Sequence, residues 1–420
     1  MRINPTRPPA TVYRAALAAV FSTTLLASCA VQQAAPPPAP AAPAGLDVAY
    51  FARIDAAIDG AIAARKLPGA VFHLEHEGAV YERAYGRLVY GDDAAPDTPA
   101  TVFDAASLTK VLATAPSVLQ LAEQGRVKLD DRLASYFPEC AGNGKDGITL
   151  RQLLTHSSGL PAGLPATPAW HGRAAAHALA CAQTVTHAPG TLFRYSDINY
   201  ILLGQLVEKV TGVPLESYAQ AHIFAPLGMR DTGYLPLRRV DLDVATIAPT
   251  QLGRADGGAH RDLAPGELLR GVVHDPTARR MDGVAGSAGV FTTAGDVARF
   301  ARMLLAGGVL DGVRILDPGS VRLMSTVQSP PGLAPRGLGM DIDSSYAVRP
   351  RGTVFPVGSY GHTGFTGCVL WIDPQARAFY VFLSNRVYPD DGSSVLDLYT
   401  SMGTLSAEAA GIRPVRAAQR

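Results

Sequence analysis

Phe103-Asp104-Ala105-Ala106-Ser107-Leu108-Thr109-Lys110 opens an apolar, helix-patterned run that continues through Glu123. Three residues along a helix put Ser107 and Lys110 on one face, within reach of each other. A serine hydroxyl is a poor nucleophile until something takes its proton. A lysine can take it only when its ammonium is destabilised. A free pKa of ~10.4 against the 7–8 of a useful base asks the site for a shift of ~3 units, roughly 4 kcal/mol. The apolar neighbours Leu108, Val111, Leu112 and Ala115 supply burial, which moves a lysine in that direction. A serine at a helix N-terminus also meets backbone N–H groups that favour a developing oxyanion. The plainer alternative is a capped helix with a solvated lysine. Against it, the chain has five lysines, and Ser107 is the only serine followed three residues later by one.

Working outward, Val48, Phe51, Ile54, Ile58 and Ile62 recur at helical spacing and predict a helix over 46–65. Residues 70–76 and 80–86 read as strands joined at Glu77-Gly78. Downstream of the Ser107 helix, short helices are expected at 129–133, 149–155 and 173–183. Gly190-Thr191-Leu192-Phe193-Arg194-Tyr195-Ser196-Asp197 then precedes a clear helix over 198–211, with Asp197 or Ser196 as N-cap and Gly212 as the stop. Another helix covers 215–224. Residues 235–280, rich in Gly, Pro and Arg, read as irregular chain along a cleft rim. The glycine-rich loop 283–289 lacks the Gly-Lys-Ser/Thr ending of a phosphate loop, so no nucleotide role is assigned to it. It leads to a helix over 297–305. In the tail, Tyr360-Gly361-His362-Thr363-Gly364-Phe365 leads to buried strands at 368–372 and 378–383 about the turn Asp373-Pro374-Gln375. A helix over 393–410 closes the chain.

A hairpin before the helical middle and strands after it imply an α/β (α+β) fold. Its central antiparallel sheet is built from both chain ends and flanked by helices, with a mainly helical insert over about 107–280. The Ser107 helix, the Tyr195 loop and the His362 strand then converge on one cleft.

The 420 residues are 47% hydrophobic and 17% charged with a net charge of +1, which suits a sizeable core and gives no electrostatic case for nucleic acid. Arg2, Arg7 and Arg14 precede an apolar stretch over 15–27, too short to span a bilayer and of signal-peptide length. It ends in Leu26-Ala27-Ser28-Cys29, which resembles the bacterial lipobox. The resemblance implies cleavage before Cys29, lipidation of its thiol and a membrane anchor. Segments 1–28 and 29–46 are thus read as signal and Ala/Pro tether, and 47–420 as the functional domain on the periplasmic side. Ala30, where some bacteria place a retention Asp, leans the anchor to the outer membrane.

Of the other cysteines, Cys140 and Cys181 are free to pair in an oxidising compartment, with Cys368 buried in a strand. No cysteine or histidine spacing resembles a metal site, and no cofactor is expected. His156 reads as a structural group that ties a loop. His73 and His76 face opposite sides of a strand.

Ser107-x-x-Lys110, Tyr195-x-Asp197 and His362-Thr363-Gly364 occur in that order, with Leu153-Leu154-Thr155-His156-Ser157-Ser158-Gly159-Leu160 and Pro226-Leu227-Gly228-Met229 as supporting stretches. On these the chain resembles the serine β-lactamase and penicillin-binding protein superfamily, in its class C-like branch, over roughly residues 47–410. That branch also holds D-alanyl-D-alanine carboxypeptidases, D-aminopeptidases and esterases. The resemblance implies a nucleophile at Ser107 that forms an acyl-enzyme. It has Lys110 and Tyr195 share proton transfer, and Asp197, His362, Thr363, Gly364 and Phe365 bind substrate. The backbone N–H groups of Ser107 and Phe365 would form the oxyanion hole. The implied substrates are D-amino-acid cell-wall peptides or β-lactams, with small acyl esters as the alternative and a non-hydrolytic cell-wall binding protein as a third reading. Two positions depart from the usual pattern. Asp197 stands where Asn is usual, with Asn199 as a candidate replacement, and His362 stands where most β-lactamases have Lys.

Overall fold

A computed structural model describes residues 45–255 and 263–413. The lipidation expected at Cys29, with its signal and tether, lies outside these residues. Among the described residues no helix is long and apolar enough to cross a membrane.

Strand β1 (Gly69–His76) pairs antiparallel with β2 (Ala79–Gly86), the hairpin expected from the sequence. The tail supplies β3 (Tyr360–Gly364), β4 (Cys368–Asp373) and β5 (Ala378–Ser384). They assemble in the order β3-β4-β5-β1-β2, all antiparallel. The N-terminal hairpin therefore completes a sheet begun by the C-terminal strands, with Phe72 opposite Phe382 across the seam.

Strand alternation sends neighbouring side chains to opposite faces. On one face Ala70, Phe72, Leu74, Trp371, Tyr380 and Phe382 pack on the helices α1 (Phe51–Ala63) and, at the far end of the chain, Leu396–Ala409. On the other, Val71, Leu370, Ile372, Phe379, Val381 and Leu383 join the larger core. That core is built largely from the helical middle: α2 (Ala115–Glu123), α3 (Asp197–Thr211) and α4 (Ala294–Leu305). With both faces covered, the inner strands read as continuous apolar runs rather than as alternation.

Several expectations need correction. The Ser107 helix is not a uniform α-helix: it opens with a 3-10 turn at Ala106–Leu108, passes through a π-turn at Lys110–Thr114, and becomes α-helical at Ala115. The helix expected over 215–224 is α-helical at Leu215–Ala219 and π at Gln220–Phe224. The described residues of 235–280 are largely irregular, as expected, but contain paired short strands at Gln251–Leu252 and Leu268–Leu269 and a helix at Pro276–Arg280.

Candidate active site

Ser107 sits on a tight turn. The short strand Phe103–Asp104 pairs with residues 291–292, and the chain then turns at Ala106, whose φ of 46° is a left-handed conformation unfavourable for a residue with a Cβ. Asp104 holds that turn. Its Oδ1 accepts from Ala106 N at 2.8 Å, its Oδ2 from His274 N at 2.6 Å, and its carbonyl from Thr366 Oγ1 at 2.6 Å. Burial pushes the Asp104 carboxyl up, and these backbone donors only partly offset it. One residue thus joins the nucleophile turn and the cleft rim through its carboxylate and the turn after β3 through its carbonyl. Sequence reading did not find it, because its partners lie 170 and 262 residues away.

Lys110 is fully buried beneath Ser107. Its Nζ donates to Ser107 Oγ at 3.0 Å and to the Ser287 carbonyl at 2.9 Å, and lies 2.7 Å from Asp197 Oδ1. An ammonium has three N–H donors, and here each has an acceptor. Burial alone lowers the lysine pKa, but Asp197 and Tyr195 outweigh it and the net direction is upward. The depressed lysine expected from the apolar sequence neighbourhood is therefore not what forms. Burial is present, yet the carboxylate brought by α3 decides the sign.

The Ser287 carbonyl belongs to the glycine-rich loop 283–289, whose role was not legible in sequence. Thr114 Oγ1 donates to the Gly286 carbonyl at 2.7 Å, fixing the loop. A Cβ on Gly286 would stand 2.0 Å from the Tyr200 carbonyl, so only glycine lets the loop approach α3.

Tyr195 is clamped between two rings, His156 at 4.3 Å and Tyr346 at 5.0 Å between centroids, with Lys110 Nζ 5.1 Å from its own. His156 is structural, as expected. Its Nδ1 accepts from Ser196 N at 3.1 Å, and its carbonyl from Arg194 N at 2.9 Å, so it grips the Tyr195 loop on both sides. Burial, then the charges of Arg336 and Lys110, hold its pKa well below the ordinary value.

The N-cap falls on Ser196, one of the two residues expected, but its side chain does not cap the helix. Its Oγ donates to the Pro161 carbonyl at 2.5 Å. Asp197 is the first residue of α3, with its carboxylate on Lys110 instead. Asn199 does not replace the missing amide. It is fully buried, accepting from Ser158 Oγ at 2.6 Å and placing its Nδ2 3.3 Å from His156 Nδ1.

Strand β3 forms the facing wall. A Cβ on Gly364 would stand 2.5 Å from the Ala105 carbonyl, so this glycine lets β3 press against the nucleophile turn. His362 Nδ1 donates to the Thr363 carbonyl at 2.8 Å. Burial, then Arg336 and Lys110, hold its pKa well below the ordinary range, so it is neutral near pH 7. His362, Thr363, Gly364 and Phe365 line the same cleft of about 680 Å³ as Ser107, Tyr195 and Asp197. Lys110 lies in its floor. Every described residue singled out for catalysis or substrate binding is therefore brought together.

Away from the cleft, Cys140 and Cys181 form a disulfide and Cys368 is buried in β4. Among the described residues, Cys140, His177 and Cys181 form a cluster of metal-ligating residue types, but two of its sulfurs are already bonded to each other.

A family model described as Beta-lactamase matches residues 54–400. A protein of Escherichia coli K12, provisionally named a D-alanyl-D-alanine carboxypeptidase, is 34% identical over 334 residues, covering 73% of this chain and 75% of its own. Among solved structures, a penicillin-binding protein homologue from Caulobacter crescentus superposes with a TM-score of 0.67 at 22% identity, covering 86% of this chain and 97% of its own. EstCE1, a hydrolase with promiscuous acyltransferase activity, does so with a TM-score of 0.65 at 23% identity, covering 85% and 98%.

Proposed function

We propose a substrate class for this chain, which belongs to the beta-lactamase family and is a serine hydrolase: cell-wall peptides ending in D-alanine, and the β-lactams that mimic them. The observation that carries the chemistry is the buried Lys110 ammonium aimed at Ser107 Oγ from 3.0 Å while Asp197 and the Ser287 carbonyl hold its other donors. The substrate class is supported by the relative named for D-alanyl-D-alanine cleavage, aligned over three-quarters of its length.

In this reading Ser107 Oγ forms a bond to the acyl carbon. Tyr195, clamped by His156 and Tyr346, acts as a phenolate that takes the hydroxyl proton, becomes the phenol, and delivers that proton to the leaving amine as the C–N bond breaks. Water then repeats the path in reverse to release the acid and restore Ser107. Lys110 is not the base. Its fixed positive charge favours the Tyr195 phenolate before the transfer and stabilises the alkoxide as it forms. The Ser107 and Phe365 N–H groups receive the oxyanion, and loss of one such donor typically costs ~10²–10³ in rate.

A second reading, hydrolysis of small acyl esters, is favoured by the neutral His362 and by Phe365, which stands 57% exposed at the cleft mouth. The two separate on turnover. Release of D-alanine from an acetylated peptide ending in D-Ala-D-Ala, abolished in Ser107→Ala, supports the first. Cleavage of short nitrophenyl esters with no D-alanine released moves the assignment to the second.

The same proposal places the enzyme on the periplasmic side of a membrane, held by lipid on Cys29. Its support is the Leu26-Ala27-Ser28-Cys29 sequence after an apolar stretch. Labelled palmitate should enter the wild type and not Cys29→Ser; equal labelling overturns the anchor.

A further inference from the structure

Away from the cleft, the Cys140–Cys181 bridge has two further side chains of metal-ligating type beside it. His177 and Cys181 stand four residues apart on the helix Arg173–Ala182, so they share one of its faces. Glu139 and Cys140 come from the facing 3-10 turn Pro138–Cys140. His177 Nε2 lies 3.5 Å from Cys181 Sγ and 2.8 Å from Glu139 Oε1. One ligand atom from each of Cys140, His177 and Cys181 falls within 4.8 Å of the others. A tetrahedral zinc ion with ordinary bond lengths sets its ligand atoms about 3.4–3.8 Å apart. The imidazole and the Cys181 sulfur already stand at that separation. The thiolate is the form of cysteine that binds metals, so the bridge is what withholds the other two ligands.

The imidazole is oriented from its far side. Its Nδ1 lies 2.9 Å from Gln205 Oε1, and Gln205 Nε2 donates to the Arg173 carbonyl at 3.2 Å, which fixes the amide with its oxygen toward the ring. Nδ1–H therefore donates to Gln205, and Nε2 is turned to Glu139 and the sulfurs. A metal-binding histidine is held in this way, with its second N–H given to an oxygen behind it. Phe137 packs against the same ring at 4.8 Å between centroids. Both cysteines are buried, whereas the side chains of His177 and Glu139 are 21% and 54% exposed, which leaves an ion a way in.

We propose that reduction of the Cys140–Cys181 bridge opens a site for one divalent cation of the zinc class, held by the two thiolates, His177 Nε2 and the Glu139 carboxylate. Two thiolates and an imidazole favour zinc over the oxygen-seeking calcium and magnesium. A dithiol reductant supplies two electrons and two protons, becomes a disulfide itself, and leaves two thiols. The sulfurs are then free to part to about 3.8 Å. The cation binds both, and the two thiol protons go to solvent. Bridge and cation are thus alternative clamps between the 3-10 turn and a helix tied through Gln205 to α3. The site is separate from the substrate reading, since none of its four ligands lines the cleft.

Cobalt(II) is the probe, because tetrahedral thiolate ligation gives it a sulfur-to-cobalt absorption band. The full chain is reduced with a phosphine, which opens the bridge without holding the metal. The reduced wild type should bind one equivalent of cobalt with that band, zinc should displace it, and the oxidised chain should show none. Cys29→Ser with Cys368→Ser should bind as the wild type does. Gln205→Leu removes no ligand and should weaken binding ~10–100-fold. A reduced wild type without the band overturns the proposal. So does a band that is unchanged in His177→Ala or that survives Cys140→Ser with Cys181→Ser. A measurement independent of variant folding is the melting temperature of the wild type. Zinc should raise it in the reduced chain and leave it unmoved in the oxidised one, and an equal response of the two forms overturns the site.

Discussion

Among the described residues, the charge network between the sheet and α4 and the Lys110–Asp197 pair at the cleft make an instructive contrast. Between the sheet and α4, Arg302 forks onto Glu75 at 2.6–3.0 Å. His73 sits 2.7 Å from Glu82 and 3.4 Å from Glu75. Every charge there ends on another that never changes. In the cleft floor Lys110 is paired with Asp197, but one of its three donors ends on the neutral oxygen of Ser107. That atom gains charge during acylation. Burial of charge is common to both clusters. What separates the reactive one is a donor aimed at an atom whose charge will change.

The contrast breaks most visibly at Lys110. Lys110→Met should lower kcat/KM by about 10³-fold or more, because it removes the positive charge that favours the Tyr195 base and stabilises the alkoxide of Ser107. A variant with near wild-type turnover would show that the cleft cluster is structural after all.

Glu75→Gln attacks the closed network instead and should cost about 3–5 kcal/mol of stability, leaving kcat of the folded fraction intact. The pH dependence follows from the two directions. Burial raises the Glu75 carboxyl, but its bonds to His73 and Arg302 outweigh that and lower it, so its contribution is present above the ordinary carboxylate range and fades as pH falls through the depressed pKa. Burial lowers His73, but Glu75 and Glu82 outweigh that and raise it. Its contribution is full below the ordinary imidazole value and fades as pH rises through the raised pKa. Urea melts across pH should show the largest gap between wild type and variant at intermediate pH, and a gap constant from acid to alkaline would contradict the network.

The Cys140–Cys181 link spans a sequence separation of 41 and, in a chain-entropy account, is worth about 4 kcal/mol at most. The double Ser variant should melt lower while its folded fraction keeps the wild-type kcat/KM. A change in kcat/KM would mean that the helix at Arg173–Ala182 steers α3 and the site.

The smallest expected effect concerns a buried acid with no cation paired to it. Burial pushes Asp97 up to about 7, against a smaller downward pull from Thr101. The folded state then holds a proton that the unfolded chain releases, so stability falls as pH rises from about 4 to 7 and levels off above. Asp97→Asn should remove that slope and gain about 2 kcal/mol at pH 8. An unchanged slope in thermal melts at pH 5 and 8 would assign it to other groups.

The two kinds of cluster also differ in how far the sequence revealed them. The hairpin at 69–86 and the tail strands were legible because apolar runs and turn residues act locally. Ser107, Lys110, Tyr195 and the His362 strand were legible because their spacing is carried by three short motifs. Asp104 and Ser287 were not, since each acts through a partner far along the chain or through its backbone carbonyl, which any residue possesses. The charge state of Lys110 was misjudged for a related reason. Its sequence neighbours are apolar, and the carboxylate that fixes its charge arrives from α3. Asn199, which the sequence left open as a replacement, shows the opposite case, being near in sequence to Asp197 yet turned into the core by the helix.

The central claim is that Ser107 carries the acyl group, and intact-protein mass spectrometry reads it directly. Mixed with a penicillin or an activated acyl ester, the wild type should gain the mass of one acyl group, lasting or transient, and Ser107→Ala should gain none. An adduct that persists in Ser107→Ala, or a wild type that is never acylated by either class of donor, would contradict it.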